Sequence, residues 1–328
     1  MNERELLARL AAGPATGAEL AREAGQTRAA VWKHVEALRA AGVPIAVRPG
    51  RGYALERPLV LLDPDAIRAR LAEGPRRALA GLEVAWTIES TNSALLARET
   101  PERGAAVLLA ERQTGGRGRR GRAWASPLAA NIYLSLARRF GGGLARLAGL
   151  SLVAGVAAVE ALHDLGFDGV RLKWPNDVVV AAPDGGLRKL GGLLVEGGGE
   201  GGGPARAVVG LGLNVAMPAA QAAAIDQPWA DLAGLAGGAA PSRNEVVAAL
   251  LDRWLPAFDA FDAEGLAPFL PRYARLDALA GRAVRVHAAD AVRDGTALGL
   301  AADGSLQVRD AQGAVFAVHA GDVSVRAA

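Results

Sequence analysis

The most unusual segment of this 328-residue chain is G-G-R-G-R-R-G-R at 115–122, which sets Arg117, Arg119, Arg120 and Arg122 among glycines. Guanidinium groups recognise carboxylate and phosphate through paired hydrogen bonds. The glycines predict a loop that stays disordered until a ligand offsets the entropy of ordering it. The expected ligand is a compact polyanion. Taken alone, the loop also fits an RNA-binding basic segment or a solvated surface turn. The string contains G-x-G-x-x-G at 116–121, but a dinucleotide fold needs a helix opening inside that motif. Here Ala123-Trp124-Ala125-Ser126-Pro127 follows at once, so that reading fails.

Four shorter motifs accompany the loop. Lys173-Trp174-Pro175-Asn176-Asp177 ends one predicted strand and begins another, with an amide and a carboxylate beside a lysine. Lys189-Leu190-Gly191-Gly192 enters the strand that ends at Glu196, where ammonium and bare backbone can approach a ligand. Glu89-Ser90-Thr91-Asn92 stands where a strand meets a helix, and small hydroxyls with free helix N–H groups can bind a neutral polar head. Gly210-Leu211-Gly212-Leu213-Asn214 is a place where backbone can come close to a ligand. Each of these alone is more often structural.

Other chemistries are excluded. The chain has no cysteine, which removes thiol nucleophiles, zinc–thiolate sites and disulfide scaffolds. His34, His163, His287 and His319 are scattered without metal-ligand spacing, so no residue is assigned to a metal. There is no G-x-S-x-G elbow and no Walker loop, so any use of ATP takes another form. An apolar fraction of 51% supports a real core. The charged start MNERELLARL predicts no leader, and no uncharged apolar run approaches membrane-spanning length, so a cytoplasmic protein with no membrane partner is expected.

The elements that must position these residues read as α+β rather than doubly wound. Strands are predicted at 83–88, 105–111, 131–136, 170–173, 177–181, 190–195 and 207–213, and helices at 91–99, 144–165 and 244–264. GGGEGGGP at 197–204 reads as a flexible hairpin tip. From about 277 only short strands remain, at 283–287, 295–300, 306–309, 314–319 and 323–326, giving a small β-barrel or sandwich. The expected divisions are 1–62, 63–276 and 277–328.

The first division holds nine basic and six acidic residues, so it carries the whole net charge of +3. Leu6, Leu7 and Leu10 share a helix face before Gly13-Pro14 stops it. Thr16 caps a second helix with Glu19 as its capping-box partner, and Leu20 and Ala24 face inward. Thr27 caps a third helix that buries Val31, Val35 and Leu38. This is a helix-turn-helix whose second helix would enter the major groove. Gln26, Thr27, Arg28, Trp32 and Lys33 form its outer face, with His34 nearby, and Arg48 and Arg51 tip a hairpin that reads as a wing. The alternative is a packing module that touches no DNA.

The set STN at 90–92, Q-x-x-G-R-G-R-R-G-R at 113–122, KWPND at 173–177 and K-L-x-G-x-L-x-E at 189–196 resembles biotin–protein ligases. With the helix-turn-helix in front, the resemblance is to the bifunctional bacterial class that is both ligase and biotin operon repressor. It implies a central mixed-sheet domain of class II synthetase type and an SH3-like C-terminal barrel. It implies biotin, ATP and Mg2+, with biotinyl-5′-adenylate formed first and biotin then passed to a lysine of a biotin carboxyl carrier protein, the acetyl-CoA carboxylase carrier subunit. It implies operator DNA as a partner, and a homodimer when adenylate is bound. By resemblance, Lys189, Arg119 and Asp177 are catalytic. Ser90, Thr91, Asn92, Gln113, Arg117, Gly118, Arg119, Lys189 and Gly192 bind biotin. Arg119, Arg120, Trp124, Asn176, Lys189 and Asn214 bind ATP or adenylate. The lipoate ligases share the fold and the acyl-adenylate logic, but the arginine loop with KWPND argues against them. A ligase whose winged helix regulates nothing remains the other alternative, as does a pure ligand-sensing transcription factor.

Overall fold

The computed structural model describes residues 1–198, 205–223, 225–239, 241–287, 292–320 and 324–327. Most of the predicted 197–204 tip therefore lies outside the described residues.

Three helices lead the chain: α1 (Glu3–Ala11), α2 (Gly17–Ala24) and α3 (Arg28–Ala40). The Thr16–Glu19 capping box forms as expected, and Gly25 ends α2 in the left-handed region. The Thr27 hydroxyl accepts from Ala30 N at the start of α3. Leu6, Leu7, Leu10, Leu20, Val31, Val35 and Leu38 make the small core, while Ala21 rather than Ala24 is the buried alanine of α2. Strands β1 (Ile45–Arg48) and β2 (Gly52–Leu55) pair antiparallel as the wing.

The chain then enters the central body through a pinned segment. A buried Arg243–Glu111 pair at 2.7 Å is its anchor. Arg243 Nη2 donates to Val60 O, and Leu62 N donates to the other Glu111 oxygen. Asn244 donates to Leu61 O and accepts from Asp63 N. Such a pair contributes little net stability, but it fixes the linker's path, because either charge left alone in the interior is costly.

Two short helices that periodicity did not announce, α4 (Pro64–Arg70) and α5 (Glu73–Ala78), precede the sheet. The order continues β3 (Leu79–Ala85), α6 (Thr91–Ala97), β4 (Ala105–Ala110), β5 (Ile132–Phe140), α7 (Leu150–Asp164), β6 (Val170–Lys173), β7 (Asp177–Ala181), β8 (Leu187–Gly198) and β9 (Ala205–Leu213). After these come α8 (Ala219–Ala222), α9 (Leu232–Leu235), α10 (Arg243–Glu264) and α11 (Leu270–Leu276). The seven strands form one mixed sheet in the order β3-β4-β5-β9-β8-β7-β6. Only β3 and β4 run parallel; every other neighbouring pair is antiparallel.

Helices α7 and α10 cover one face, with Val153, Val156, Trp254 and Phe258 in the core. The continuous helix predicted over 144–165 is instead a 3-10 turn, Leu144–Leu147, and then α7. Gly149 breaks it in the left-handed region. By length and composition the segment Leu144–Asp164 could span a membrane, but in the structure α7 is a core helix. Helix α6 packs on the other face, through Leu95 on Leu108, Ala137 and Val208.

The tail forms β10 (Ala283–His287), β11 (Val292–Leu300), β12 (Leu306–Arg309), β13 (Val315–Val318) and β14 (Ser324–Ala327), in the order β13-β12-β11-β10-β14. Among the described residues β13 and β14 are not paired, so this is an open antiparallel sheet, and the expected closed barrel is not shown. Its inner residues Val284, Leu306 and Val308 join the central core, and Trp174 donates to Gly304 O across the junction.

Candidate active site and DNA-facing module

The lightly covered face of the sheet holds a cavity of about 1340 Å³. Strands β7 and β8 place its charged floor. Lys189 Nζ lies 2.7 Å from Asp177 Oδ1, and Lys173 Nζ lies 3.3 Å from Asp177 Oδ2. Burial pushes the Asp177 carboxyl up, but the two ammoniums and their hydrogen bonds outweigh it and hold the group below the ordinary aspartate range. Two lysines around one carboxylate leave a net positive site, suited to an anion.

The arginine segment is not a free loop here. Arg117 and Ala123 pair as a one-bridge hairpin, Gly118 N donates to Arg122 O, and Trp124 N donates to Gly116 O. A 3-10 turn, Arg119–Gly121, makes the tip, with Arg120 in the left-handed region. This conformation is the ordered one of the two that the sequence predicts. The local hydrogen bonds offset part of the chain entropy that glycine content alone suggested would dominate. Arg119 reaches the KWPND turn, where its Nη1 donates to Asn176 Oδ1 at 3.2 Å. Arg117 turns the other way and pairs with Glu196 at 3.0 Å.

Trp124 leaves the hairpin and lies along the sheet beside Lys189, whose Nζ is 5.4 Å from the ring centroid. The indole sits where β8 and β9 face each other through Gly192 and Gly212. A Cβ at Gly212 would fall 2.5 Å from the indole Cε2. At Gly210 a Cβ would collide with the Asn92 amide. Gly210 and Gly212 thus make room for two side chains, and both also line the cavity. The indole Nε1 is buried without a hydrogen-bond partner.

Helix α6 supplies the polar end. Ser90 Oγ caps it by accepting from Ser93 N. Thr91 N and Oγ1 both donate to Gln113 Oε1. Asn92 Nδ2 donates to Glu196 Oε2 and to Leu194 O. Ser135, buried on β5, shares its proton between Thr91 Oγ1 and Asn92 Oδ1 at 2.7 and 2.6 Å.

Ser90, Thr91, Asn92, Gln113, Arg117, Gly118, Arg119, Arg120, Trp124, Asn176, Asp177, Lys189 and Gly192 all line this one cavity. Asn214 does not: its amide donates to Ala230 O, and the residue is buried beneath the strap that follows β9. Ser135, which lines the cavity, was missed, while Lys173 and Glu196 were read only as members of their motifs, without a role. A lone hydroxyl within the apolar run Ile132-Tyr133-Leu134-Ser135-Leu136 was the available signal for the first.

In the N-terminal module, Gln26, Thr27, Arg28, Trp32 and Lys33 are exposed together on and before α3, Trp32 by 54%. Arg48 and Arg51 are exposed at the wing turn. Thr27 has already committed its hydroxyl to the helix cap. This module is tied to the cavity by the segment after Trp124. Leu128 and Ala129 insert into the winged-helix core, Leu128 N donates to Ala41 O, and Ser126 Oγ donates back to Trp124 O.

A profile described as the biotin/lipoate A/B protein ligase family matches residues 84–214, and one described as an HTH domain matches residues 2–54. The bifunctional ligase/repressor BirA of Salmonella typhimurium is 38% identical over 95% of this chain and 93% of its own length. The protein of the same name from Escherichia coli is 38% identical over 99% and 97%. The chain belongs to the biotin protein ligase family. The chain is also similar to the biotin protein ligase of Aquifex aeolicus solved with biotin and ATP, with a TM-score of 0.64, 25% identity, and coverage of 76% of this chain and 100% of that one. Within the family, this chain has the bifunctional arrangement, with a helix-turn-helix module ahead of the ligase domain.

Proposed function

We propose that this protein joins biotin to ATP, forming biotinyl-5′-adenylate and releasing pyrophosphate, and then transfers the biotinyl group to a lysine of a biotin carboxyl carrier protein. The observation that carries this reading is the convergence on one cavity of Lys189, Lys173, Arg119 and the Trp124 slot around a single ionised Asp177. Activation brings a carboxylate oxygen onto an α-phosphorus, so two anions must meet. Fixed cations and positioning supply most of what that step needs. Lys189 is placed to hold the biotin carboxylate against an α-phosphate oxygen, and Arg119 to close over it. Ser90, Thr91, Asn92 and Gln113 form the pocket for the uncharged ureido head, with hydroxyl and amide groups already ordered by Ser135.

The residues fit a nucleotide. The orphaned Trp124 Nε1 is a buried donor in need of an acceptor, and its ring is a flat face. Mg2+ would arrive with the triphosphate and lessen its charge, with Asn176 and Asp177 nearest. Among the described residues no group of three His, Asp or Glu side chains could hold a metal unaided. In transfer, the carrier amine attacks the acyl carbon, the acyl–phosphate C–O bond breaks, and AMP leaves. Asp177 is positioned to take the amine's proton. Its proton affinity rises as Lys189 turns from it toward the adenylate.

The same reading makes the protein a biotin-dependent repressor, with 1–62 as the DNA-binding part, 63–276 as the ligase and 277–328 as an SH3-like cap on a class II synthetase-type sheet. The exposed Arg28, Lys33, Arg48 and Arg51 would contact an operator. Among the described residues no strand pairs with β8 on its outer edge beyond Gly192, which leaves that edge for a second copy in an adenylate-bound dimer. A cytoplasmic location is part of this reading.

The test is ligand-dependent thermal stabilisation. Biotin with MgATP raises the melting temperature and releases pyrophosphate; lipoate with MgATP does neither. A shift with lipoate and none with biotin would reject the assignment.

A further inference from the structure

Two lysines share one carboxylate on the cavity floor, and the sheet holds them differently. Lys173 and Asp177 are directly opposite on the last rung of the β6–β7 hairpin, so their side chains leave the same face. Lys173 Nζ lies 3.3 Å from Asp177 Oδ2. Lys189 comes to the other oxygen, Oδ1, from the bulged part of β8, at 2.7 Å. Its backbone is fixed on both sides, because Lys189 N donates to Pro228 O and Lys189 O accepts from Ala230 N. Only its side chain is left to move. Gly192 leaves space beside it: a Cβ there would fall 3.2 Å from Lys189 Cε and 3.4 Å from its Nζ.

These positions set up a conflict within the proposed reaction. Lys189 is the group that meets the incoming biotin carboxylate, yet in the empty cavity it is the closer partner of Asp177. The Asp177 side chain is 18% exposed. Were Lys189 its sole partner, drawing that lysine away would leave an uncompensated charge in the interior, which is strongly unfavourable. The carboxylate would then hold the lysine back. Lys173 removes the conflict, because it stays on Oδ2 when Oδ1 is vacated. The two ammoniums also repel each other across the shared carboxylate.

We infer that Lys173 is a positioning residue that frees Lys189: it remains the partner of Asp177 while the Lys189 ammonium turns to an incoming carboxylate, and so it governs affinity for the charged end of biotin without touching it. The inference rests on the ligase reading for the identity of that carboxylate.

The test is calorimetric binding of two probes without nucleotide: biotin, and its uncharged primary amide. The parent protein prefers biotin, and Lys189→Ala abolishes the preference. Lys173→Met lowers biotin affinity by about tenfold or more, the scale of leaving a buried charge with one partner to lose, and changes amide affinity less than about twofold. Lys173→Arg keeps most of the preference. The double variant Lys173→Met with Asp177→Asn regains it, because nothing then holds Lys189 back. Equal losses for both probes in Lys173→Met reduce the residue to a structural role and overturn the inference. A preference still missing from the double variant means that Lys173 meets the carboxylate itself, and also overturns it. An undiminished preference in Lys173→Met rejects the inference and leaves the ligase reading standing. A parent protein that binds neither probe rejects the ligase reading, and this inference with it.

Discussion

Lys189 Nζ and Asp177 Oδ1 stand 2.7 Å apart across neighbouring strands β8 and β7, at the centre of the cavity floor. The register at this point shifts between Val178 and Val179, so one residue of β8 is extra and the lysine is turned onto the cavity face. On the proposed function, removing Lys189 takes away a cation that both anions need. Lys189→Ala should reduce adenylate formation by at least about a hundredfold, the scale of losing one preorganised electrostatic group, while leaving biotin-independent DNA binding intact. Pyrophosphate release measured alongside a DNA-binding assay checks both halves.

Asp177 gives a pH prediction. Its folded pKa lies below the ordinary value of 3.8, because Lys189 and Lys173 outweigh burial. The associated stability is therefore complete above that value and is lost as pH falls through the lower folded value. In Asp177→Asn this part of the acid sensitivity disappears. Transfer from preformed adenylate should also slow, by about a hundredfold if the carboxylate takes the amine's proton. Full transfer activity in that variant would remove the base role.

The contact between Trp124 and Gly212 is tight enough that an added methyl group cannot be accommodated without moving the ring. Gly212→Ala should cost about 1–3 kcal/mol as overpacking or move the indole off the sheet. Trp124→Phe in the same background should recover part of the loss. Intrinsic fluorescence and adenylate dissociation rates report the two effects.

Arg119→Gly removes the contact to the KWPND turn and, on the proposed function, one guanidinium that closes over the adenylate. Retention falls, and the released anhydride acylates lysines indiscriminately. Mass spectrometry of a mixture of bystander proteins should show labelling by the variant and little by the parent; tight, selective labelling would refute the loop's role.

The linker clamp predicts a stability effect far from the chemistry. Arg243→Met strands Glu111, which is 2% exposed, and should cost about 3–5 kcal/mol. Adding Glu111→Gln should restore part of it. At the exposed end, Trp32→Ala should leave the melting temperature unchanged, because the ring is 54% exposed. Arg48→Ala or Arg51→Ala should each lower the salt dependence of DNA binding by about one ion.

Much of this architecture was legible in the residues. Strands 170–173, 177–181, 283–287 and 306–309 have the bounds the sequence predicts, whereas β11 starts at Val292, so that Asp294-Gly295 lies within a strand and not at a turn, and the Thr16–Glu19 box formed because both partners sit at the spacing the helix needs. The cavity set was legible through the motifs that carry the family resemblance, and apart from Asn214 its members line one cavity. What was not legible depends on partners distant in sequence. The Arg117–Glu196 pair could not be read, because Glu196, 79 positions away, is invisible from the loop itself. Asn214 was read as a site residue because its turn toward Ala230 is decided by the strap after β9. The break at Gly149 was lost in a periodicity that runs through it. The role of glycines 210 and 212 could not be read until Asn92 and Trp124 were placed above them.

The most direct test of the central claim is a single-turnover experiment with biotin, MgATP and an isolated biotin carrier domain, following pyrophosphate release and the mass of the carrier. The account predicts stoichiometric pyrophosphate followed by one biotinyl addition at a single lysine, both lost in Lys189→Ala. Pyrophosphate release with lipoate but not with biotin, or undiminished activity in Lys189→Ala, would contradict it.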